Sequence, residues 1–240
     1  MPPANEALTM DNEVAVRKPR PQNESGDAGR RRPERGGRNS MRQDVEALKR
    51  QCVLDEARRL FFTLGYHGTT MDAIADAVDM GKPFLYRHFR NKIELLVALY
   101  DHAIALSEDA LDRALATRLN ADETIRIFVR NYLGVVVTHR DIVAIFFRES
   151  LSVPPEKLLE IDRHKANFDQ KLTAVIRGGI EAGSFRVSDA RVAAFAVVGM
   201  INWSYQWYRE SGSNTPAELG EMFGDFALGI LKSGRVERAP

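Results

Sequence analysis

Apolar residues recur at three- and four-residue steps along most of this 240-residue chain, and this spacing is typical of amphipathic helices. The first such run extends from Asp44 to Leu64, and Gly65 directly after it predicts the end of a helix. The predicted inner face of this helix consists of Val45, Leu48, Cys52, Val53, Ala57, Leu60, Phe61 and Leu64. Because no segment alternates convincingly with period two, the chain is predicted to be all-α.

Three shorter helices are predicted to follow the first one. The second starts with a possible capping box at Thr70 and reaches about Val78. The third starts near Gly81–Pro83, where proline is tolerated because the first turn has no use for its missing N–H, and ends at residue 88 or 89. The fourth begins at Asn91.

The remaining residues, 107–233, are predicted to form a series of amphipathic helices. Breaks are expected near Asn120 and Arg140 and within 153–155, 183–184 and 211–213, where proline, glycine and serine gather. The two most apolar late segments are Ala190–Tyr208 and Ala217–Leu231. Two such helices from each of two subunits would form a four-helix bundle.

Residues 1–42 differ from the rest, since they are rich in Pro, Gly, Asn, Ser and Arg and show no apolar period. They are predicted to be a disordered tail because they cannot bury enough apolar surface to offset the ordering entropy. From Arg17 to Arg42 there are nine basic and three acidic residues, whereas the whole chain has a net charge of +1. This tail is either a basic arm that follows DNA or an extension without a role, and we favour the second interpretation.

The composition bears on the cellular compartment of the protein and on the disulfides and metal sites that it can form. A single cysteine, Cys52, allows no intrachain disulfide and no cysteine-rich metal site, which fits a reducing cytoplasm. On the apolar face of the first helix it is expected to be a buried, inert thiol. The first residues lack the apolar core of a signal peptide, and the longest apolar run, Val192–Ile201, is too short to cross a membrane. A cytoplasmic protein without a membrane partner is therefore expected.

An enzyme is not expected. The chain lacks the phosphate-binding, dinucleotide-binding, nucleophile-elbow and zinc-protease motifs. Glu160, Asp162 and His164 lie close in sequence, but residues two apart on a helix point in different directions, so no metal site is predicted there. No cofactor is expected either.

The third predicted helix carries the residues that point to DNA. Leu85 and Phe89, four apart, can face the core, whereas four other side chains can face outward: Lys82, Phe84, Tyr86 and His88. From Lys82 to Lys92 there are four basic residues and one histidine but no acid. Three short helices with this spacing make a device that inserts the third helix into the major groove. A solvated basic face is the alternative for these charges taken alone.

The residues from Val53 to Ala75, followed by those from Lys82 to Lys92, closely resemble the N-terminal domain of TetR-family repressors. The resemblance implies a three-helix helix-turn-helix DNA-binding domain over 43–92 and a helical effector-binding and dimerisation domain over 93–235. It also implies roles: phosphate contacts for Thr70 and Lys92, base-facing positions for Lys82, Pro83 and Phe84, and DNA-backbone contacts for Tyr86 and His88.

Three positions depart from the pattern of that family. Asp79 stands where the turn usually has glycine, although aspartate tolerates a left-handed backbone. Gly81 replaces the serine that commonly caps the third helix, so that hydrogen bond is expected to be missing. Phe84 replaces a small hydroxyl residue; it can touch a thymine methyl group but cannot hydrogen-bond to a base.

The residues Asn202-Trp203, Trp207-Tyr208 and Gly212 resemble the subgroup that controls fatty-acid or steroid breakdown, which implies an acyl-coenzyme A effector. A long apolar tunnel could be lined by Phe128, Tyr132, Phe146, Phe147 and Phe168, with Trp203 as a further lining candidate. Phosphates could be met by Arg148, Arg163 and Lys165. Core packing and solvated surface charge are the alternatives for each of these residues.

The sequence thus favours a homodimeric repressor that a small hydrophobic effector releases from double-stranded operator DNA. The candidate dimer residues are Trp207, Phe223, Phe226 and Ile230. A drug-responsive repressor of an efflux system is the alternative, with Glu149 as the candidate acid for a cationic drug. A non-specific architectural DNA binder is disfavoured by the net charge of +1.

Overall fold

The computed structural model describes residues 35–233, and this part of the chain forms ten α-helices without a β-strand. The all-α prediction is therefore confirmed. The helices are α1 (Arg35–Leu64), α2 (Met71–Val78), α3 (Lys82–His88), α4 (Lys92–Ala116), α5 (Ala121–Thr138), α6 (Arg140–Glu149), α7 (Pro155–Glu181), α8 (Ala190–Asn202), α9 (Ser204–Trp207) and α10 (Pro216–Lys232). A single 3-10 turn, Ser150–Ser152, joins α6 to the residues before α7.

Helix α1 begins earlier than the pattern predicted, at Arg35 instead of Asp44. Residues 35–42, which were assigned to the disordered tail, are therefore helical, while that prediction for residues 1–34 lies outside the described residues. Val45 and Leu48 are exposed, so their assignment to the inner face is wrong. Periodicity identifies an apolar stripe, but it does not show where a neighbouring helix is available to cover that stripe.

Two further α1 residues correct the predicted core. Leu64 is exposed, and Cys52 is exposed as well, so the prediction of a buried thiol is wrong. The buried face of α1 begins at Val53, one residue beyond the cysteine, and its side chains pack in one cluster with those of α2, α3 and α4.

Side-chain caps fix the starts of α2 and α4. The Thr70 hydroxyl accepts a hydrogen bond from the Ala73 amide at 3.0 Å, and the Asn91 side chain accepts one from the Glu94 amide at 3.1 Å. The predicted capping box is reduced to its first half, because alanine at position 73 cannot reach back to the cap. Gly81, before α3, has no side-chain cap, as its departure from the family pattern predicted, and the structure shows that its φ is positive, at 73°.

The turn between α2 and α3 contains Asp79 in the left-handed conformation, with φ 50° and ψ 30°. Aspartate can adopt this conformation at the position where glycine is usual. The geometry of the turn is therefore kept although its usual residue is absent.

Two hydrophobic clusters support the described helices. One joins the inner faces of α1, α2 and α3 to the first half of α4, with Phe61, Ile74, Leu85 and Phe89 among its members. The other joins the end of α4 to α5, α7, α8 and α10. Helix α4 contributes residues to both clusters and therefore connects them.

Small residues bring helices close together in the second cluster. At Gly220 of α10 an added Cβ would lie 3.2 Å from the Cα of Arg130 on α5. At Gly179 of α7 it would lie 2.2 Å from the ring of Phe185. These glycines are fixed by the space available and not by their backbone angles.

The predicted breaks at Asn120, Arg140 and residues 153–155, 183–184 and 211–213 all fall at or between helix ends. Within residues 35–233, none of the helices combines the length and apolar character that crossing a bilayer requires.

Candidate nucleic-acid interface and ligand cavity

Helix α3 has two faces of different chemistry. Leu85 and Phe89 are buried against α1, α2 and α4, as predicted. Tyr86, on the opposite side, leaves 45% of its surface exposed, and Lys82 and Pro83 are exposed beside it. The helix is therefore anchored by two side chains and presents its polar face to solvent.

Carboxylates from two other helices contact the cations of α3. Lys82 Nζ lies 2.9 Å from an oxygen of Asp72 on α2. His88 Nε2 lies 3.0 Å from an oxygen of Glu46 on α1, and the same oxygen pairs with Arg87. These pairs hold the side chains of α3 in fixed positions relative to α1 and α2.

The aromatic ring of Phe84 is surrounded by cationic or ionisable groups. Its centroid lies 5.6 Å from Lys49 Nζ, 5.2 Å from the guanidinium carbon of Arg87 and 4.6 Å from the ring centroid of His88. Cations over an aromatic face are attracted by its quadrupole. Phe84 thus occupies the centre of a basic surface to which α1 and α3 both contribute.

Thr70 and Lys92 lie at the starts of α2 and α4. The Thr70 hydroxyl caps its helix, and Lys92 Nζ donates to the Tyr66 carbonyl oxygen at 2.7 Å while lying 4.5 Å from the centroid of the Tyr66 ring. An ammonium group has three donors, so this bond leaves Lys92 able to donate to a further anion.

A cavity of about 140 Å³ lies among α4, α5, α6, α7 and α8. Its wall is mostly apolar and includes five of the predicted effector-binding residues, Tyr132, Phe146, Phe147, Lys165 and Phe168. The lining consists of Ala103, Ile104, Ser107, Tyr132, Val143, Phe146, Phe147, Lys165, Phe168, Asp169, Val198 and Asn202. A mostly apolar lining with a few convergent polar groups is typical of small-molecule sites.

The polar groups of the cavity are few and mostly paired. The Tyr132 hydroxyl donates to the side-chain oxygen of Asn202 at 2.7 Å, and burial raises the pKa of this tyrosine to about 12. Burial also raises the pKa of the Asp169 carboxyl, while Lys165 and Arg191 act in the opposite direction. Tyr132 therefore remains a neutral hydrogen-bonding group at physiological pH.

Four predicted effector-binding residues do not line this cavity. Phe128 is buried behind Tyr132 and Phe168, with ring centroids 5.4 and 5.9 Å away. Arg148 lies over the ring of Phe62 on α1, and Trp203 is 63% exposed. Arg163, the other cation considered for phosphates, is exposed and does not line the cavity either.

Helix α6 contacts both the cavity and the helices that carry the basic surface. On the cavity side it contributes Val143, Phe146 and Phe147. On the other side, Asp141 forms an ion pair with Arg58 of α1 at 3.1 Å. Near its end, Glu149 lies 3.9 Å from His67 in the turn between α1 and α2. Glu149 therefore belongs to this contact and not to the cavity wall.

Helices α8 and α10 expose apolar side chains next to each other. Val192, Phe195 and Trp203 are exposed in and just after α8, and Met222 and Phe226 are exposed on α10. Trp207 is half exposed, whereas Phe223 is buried within its own subunit and Ile230 is half-buried. The apolar face predicted for the last helix is thus divided, with Leu219, Phe223 and Ala227 in the core and Met222 and Phe226 outside.

Among the described residues, no group of three or more His, Cys, Asp and Glu side chains could hold a metal ion.

Comparison with known proteins places both parts of the chain in the same group. Residues 53–99 match the family described as bacterial regulatory proteins, tetR family. Residues 118–231 match the family described as tetracyclin repressor-like, C-terminal domain. The two matches cover the helices around the basic surface and those around the cavity.

Individual relatives are regulators. The transcriptional repressor KstR2 of Rhodococcus jostii is 25% identical, covering 77% of this chain and 92% of KstR2. The transcriptional activator FasR of Mycolicibacterium smegmatis is 25% identical, covering 73% of this chain and 80% of FasR. A crystal structure of AibR in complex with isovaleryl coenzyme A and operator DNA is 30% identical, with a TM-score of 0.67, covering 78% of this chain and 100% of AibR.

Sequence reasoning missed several residues at these sites. Glu46 was not considered because it lies about forty positions from its partners Arg87 and His88, and nothing in the sequence connects them. Asp169 carried a weak signal, since it follows Lys165 by four residues and Phe168 by one on the same helix. Ser107 and Val198 had no signal, because only the packing of α4 and α8 brings them to the cavity.

Proposed function

The chain belongs to the TetR family of bacterial transcription regulators, and we propose that it is a dimeric repressor released from its operator by a short acyl-coenzyme A. The observation that carries this proposal is the double role of α6. One side of this helix lines a mostly apolar cavity, and the other is tied by Asp141 to Arg58 on α1. A molecule in the cavity can therefore act on the DNA-binding helices.

We assign DNA reading to the exposed face of α3. Lys82, Pro83 and Phe84 would face the bases, while Tyr86 and His88 would contact the DNA backbone. Thr70 and Lys92, at the starts of α2 and α4, would contact phosphates, for which helix N-termini and lysines are suited. The exposure of Tyr86 and the spare donors of Lys92 support these roles.

The cavity sets the size of the apolar part of the effector. An engineered apolar cavity of about 150 Å³ holds one benzene ring, and the cavity here has a volume of about 140 Å³. This supports a branched or cyclic acyl group of about six heavy atoms in preference to a long chain or a steroid nucleus. AibR, a 30% identical relative, was crystallised with isovaleryl coenzyme A, whose acyl group is of this kind.

Release from DNA would follow from a shift between two conformers. A ligand that fills the cavity would favour an α6 position that differs from the one compatible with the operator, and α1 would follow through Arg58 and Asp141. The ligand can shift the equilibrium only by the difference between its affinities for the two conformers. Two recognition helices that no longer match half-sites about 34–36 Å apart would then lose the operator.

Among the relatives, KstR2 is named a repressor and FasR an activator. We adopt repression, because a dimer bound across two half-sites beside a promoter blocks polymerase without any further contact.

A drug-responsive repressor is the competing function, and Asp169 is the observation that favours it, since an acid in the cavity suits a cationic drug. The cations Lys165 and Arg191 already lie close enough to act on the Asp169 carboxyl. Because a cationic drug would have to approach these two charges, the acyl thioester is the better fit.

A mobility-shift experiment tests the proposed function. The full chain is titrated onto the DNA directly upstream of its own gene, with and without a panel of acyl-coenzyme A thioesters and a panel of hydrophobic cations. Release by a short or branched thioester is the expected result. Release by the cations alone would favour the drug-responsive function, and a protein that does not bind this DNA at any concentration would contradict an operator at this place.

Two substitutions test the DNA-reading face. Replacing Tyr86 or Lys92 by Ala should weaken operator binding by about 1 kcal/mol or more, the net contribution of one lost hydrogen bond. The dimer should persist in both variants, which size-exclusion chromatography with light scattering checks. Operator affinity equal to that of the unaltered protein in both variants would refute the assignment of this face.

A further inference from the structure

A second depression in the surface lies directly beside the cavity. It is a groove of about 570 Å³ formed by one side of α7 together with the start of α8. Its lining consists of Ala166, Asp169, Gln170, Thr173, Arg177 and Arg191. The five α7 residues recur at steps of three, one, three and four, so they lie along one face of that helix.

Asp169 connects the two depressions, because it lines both the cavity and the groove. Phe168, its neighbour, faces the cavity, while Gln170, its other neighbour, faces the groove. The two depressions therefore adjoin at Asp169, and a ligand that spans both would pass this side chain.

The groove is positively charged. Arg177 and Arg191 are its two cations and Asp169 is its single acid, with Lys165 on the adjoining cavity wall. Within the described part of the chain, Arg177 makes no ion pair or hydrogen bond, so its guanidinium remains available to a ligand. Arg191 lies 5.4 Å from the ring centroid of Phe195, which fixes its side chain over the start of α8.

Burial disfavours the ionised form of Asp169, the single acid in the lining of the groove. Burial raises the pKa of the Asp169 carboxyl, whereas Lys165 and Arg191 lower it. An approaching anion would push that pKa further upward, since a second negative charge disfavours the ionised form.

We propose that Arg177 and Arg191 bind the phosphates of the effector, while its acyl group occupies the adjoining cavity. This inference rests on the proposed function, because it divides an acyl-coenzyme A between the two depressions. The cavity is too small for a nucleotide as well as an acyl group, so the phosphates must lie outside it. Guanidinium groups suit them, because their planar forks bind phosphate oxygens in pairs.

With the acyl group in the cavity and the phosphates in the groove, Arg177 and Arg191 take the role that the sequence suggested for Arg148 and Arg163. Arg148 lies over Phe62 on the side of α6 that contacts α1, and Arg163 lines neither depression. Only Lys165, at the cavity wall, keeps a position from which it can meet a phosphate.

Calorimetry with three probes separates the two depressions. The probes are isovaleryl coenzyme A, coenzyme A without an acyl group, and the isovaleryl thioester of N-acetylcysteamine, which lacks all phosphates. The full chain is compared with Arg177→Gln and Arg191→Gln, and Arg163→Gln serves as the matched control on the same helix outside the groove. Size-exclusion chromatography checks that the oligomeric state of each variant is unchanged.

Each groove variant should bind isovaleryl coenzyme A roughly 10-fold more weakly or worse, because a charge-assisted hydrogen bond is lost. Both should bind the phosphate-free thioester with unchanged affinity, and Arg163→Gln should bind all probes as the unaltered protein does. The affinity of the unaltered protein for isovaleryl coenzyme A should fall with added salt, and less steeply in Arg177→Gln.

Four results would overturn the inference. If the groove variants bind isovaleryl coenzyme A normally, the phosphates lie elsewhere, although the acyl-coenzyme A function stands. If the groove variants also lose affinity for the phosphate-free thioester, the substitutions damage the cavity, and the groove has no separate role in binding. If Arg163→Gln loses as much affinity for isovaleryl coenzyme A as the groove variants do, the loss reflects the general surface charge and not a site in the groove. If the unaltered protein binds none of the probes, the proposed effector class fails together with the groove.

Discussion

At the scale of single residues, the junction between α5 and α6 contains a histidine whose charge matters. His139 is half-buried, its Nδ1 has no hydrogen-bond partner within the described residues, and its ring centroid lies 6.0 Å from that of His102. Burial lowers the pKa of His139 below 6.5, as do His102 and Arg58, while Asp141 alone raises it. The neutral imidazole is therefore the form that the fold favours.

This lowered pKa predicts a loss of stability in mild acid. Between the folded-state pKa of His139 and 6.5, the unfolded chain binds more protons than the folded one, so the free energy of unfolding falls as the pH falls. Above 6.5 both states are neutral at this position and its contribution is constant. Urea unfolding at about pH 7.5 and about pH 5.5 should show a smaller loss in His139→Gln than in the unaltered protein. Equal losses would mean that other groups dominate the pH dependence.

At the scale of helices, close approach decides which substitutions the fold tolerates. Gly178 and Gly179 are neighbours in α7, yet an added Cβ has open space at Gly178 and would lie 2.2 Å from the Phe185 ring at Gly179. The ring cannot easily move away, because Phe185 is buried beneath the bundle. Adjacent residues of the same type therefore have opposite packing environments.

The two glycines provide a matched pair of variants. Gly179→Ala should lower the free energy of unfolding by about 1–3 kcal/mol through overpacking. Gly178→Ala should raise it by about 0.5–1 kcal/mol, because alanine is the better helix former. Thermal and urea unfolding measure both changes. A Gly179→Ala variant as stable as Gly178→Ala would show that Phe185 adjusts without cost.

The contact of α6 with α1 predicts a variant that binds effector normally but responds to it less in its operator affinity. Replacing Arg58 by Met removes the ion pair with Asp141 and keeps most of the side-chain packing. Effector affinity should remain unchanged, because Arg58 does not line the cavity. The effect of effector on operator affinity should fall by about 0.5–2 kcal/mol. Calorimetry measures the effector affinity, and DNA titration with and without saturating effector measures the effect of effector on operator affinity. If that effect is unchanged in Arg58→Met, the ion pair with Asp141 does not couple the two sites.

At the scale of the whole molecule, the apolar side chains exposed on α8 and α10 need a partner. Phe226 is 56% exposed, and Met222 on the same helix and Phe195 on α8 are exposed as well. Exposed apolar side chains on two helices that contact each other are typical of protein–protein interfaces. A second copy of the chain, related by a two-fold axis, would cover it with the same helices and give the four-helix bundle that the sequence suggested.

Phe226→Glu should therefore convert the dimer to a monomer at micromolar concentration, because it would bury an unpaired charge in the interface. Operator binding should weaken strongly, since a monomer reads a single half-site. Leu151→Glu is the matched control, because Leu151 is also an exposed apolar residue but lies in the turn after α6. Sedimentation equilibrium measures the oligomeric state, and a dimeric Phe226→Glu protein would refute this interface.

Local chemistry made much of this fold predictable. The cap at Thr70, the start of α4 at Asn91, the left-handed Asp79 and the uncapped Gly81 follow from a few adjacent residues, and all were predicted. The inward positions of Leu85 and Phe89 follow from helical periodicity. The predictions that Cys52 and Leu48 are buried were wrong. Burial depends on which distant helix covers a residue, and the local sequence does not indicate that helix.

The all-α class and most helix ends, although not the start of α1, could be predicted from the sequence, because they depend on the hydrogen bonds and periodicity of short segments. The family could be predicted as well, from the resemblance of residues 53–92 to TetR-family repressors. Only the tertiary structure decided that Phe128 lies behind the cavity, that Asp169 joins it to a basic groove, and that Glu46 pairs with His88. Each of these relations joins residues from different helices. Their distances are set by how the helices pack, and packing is a property of the whole chain.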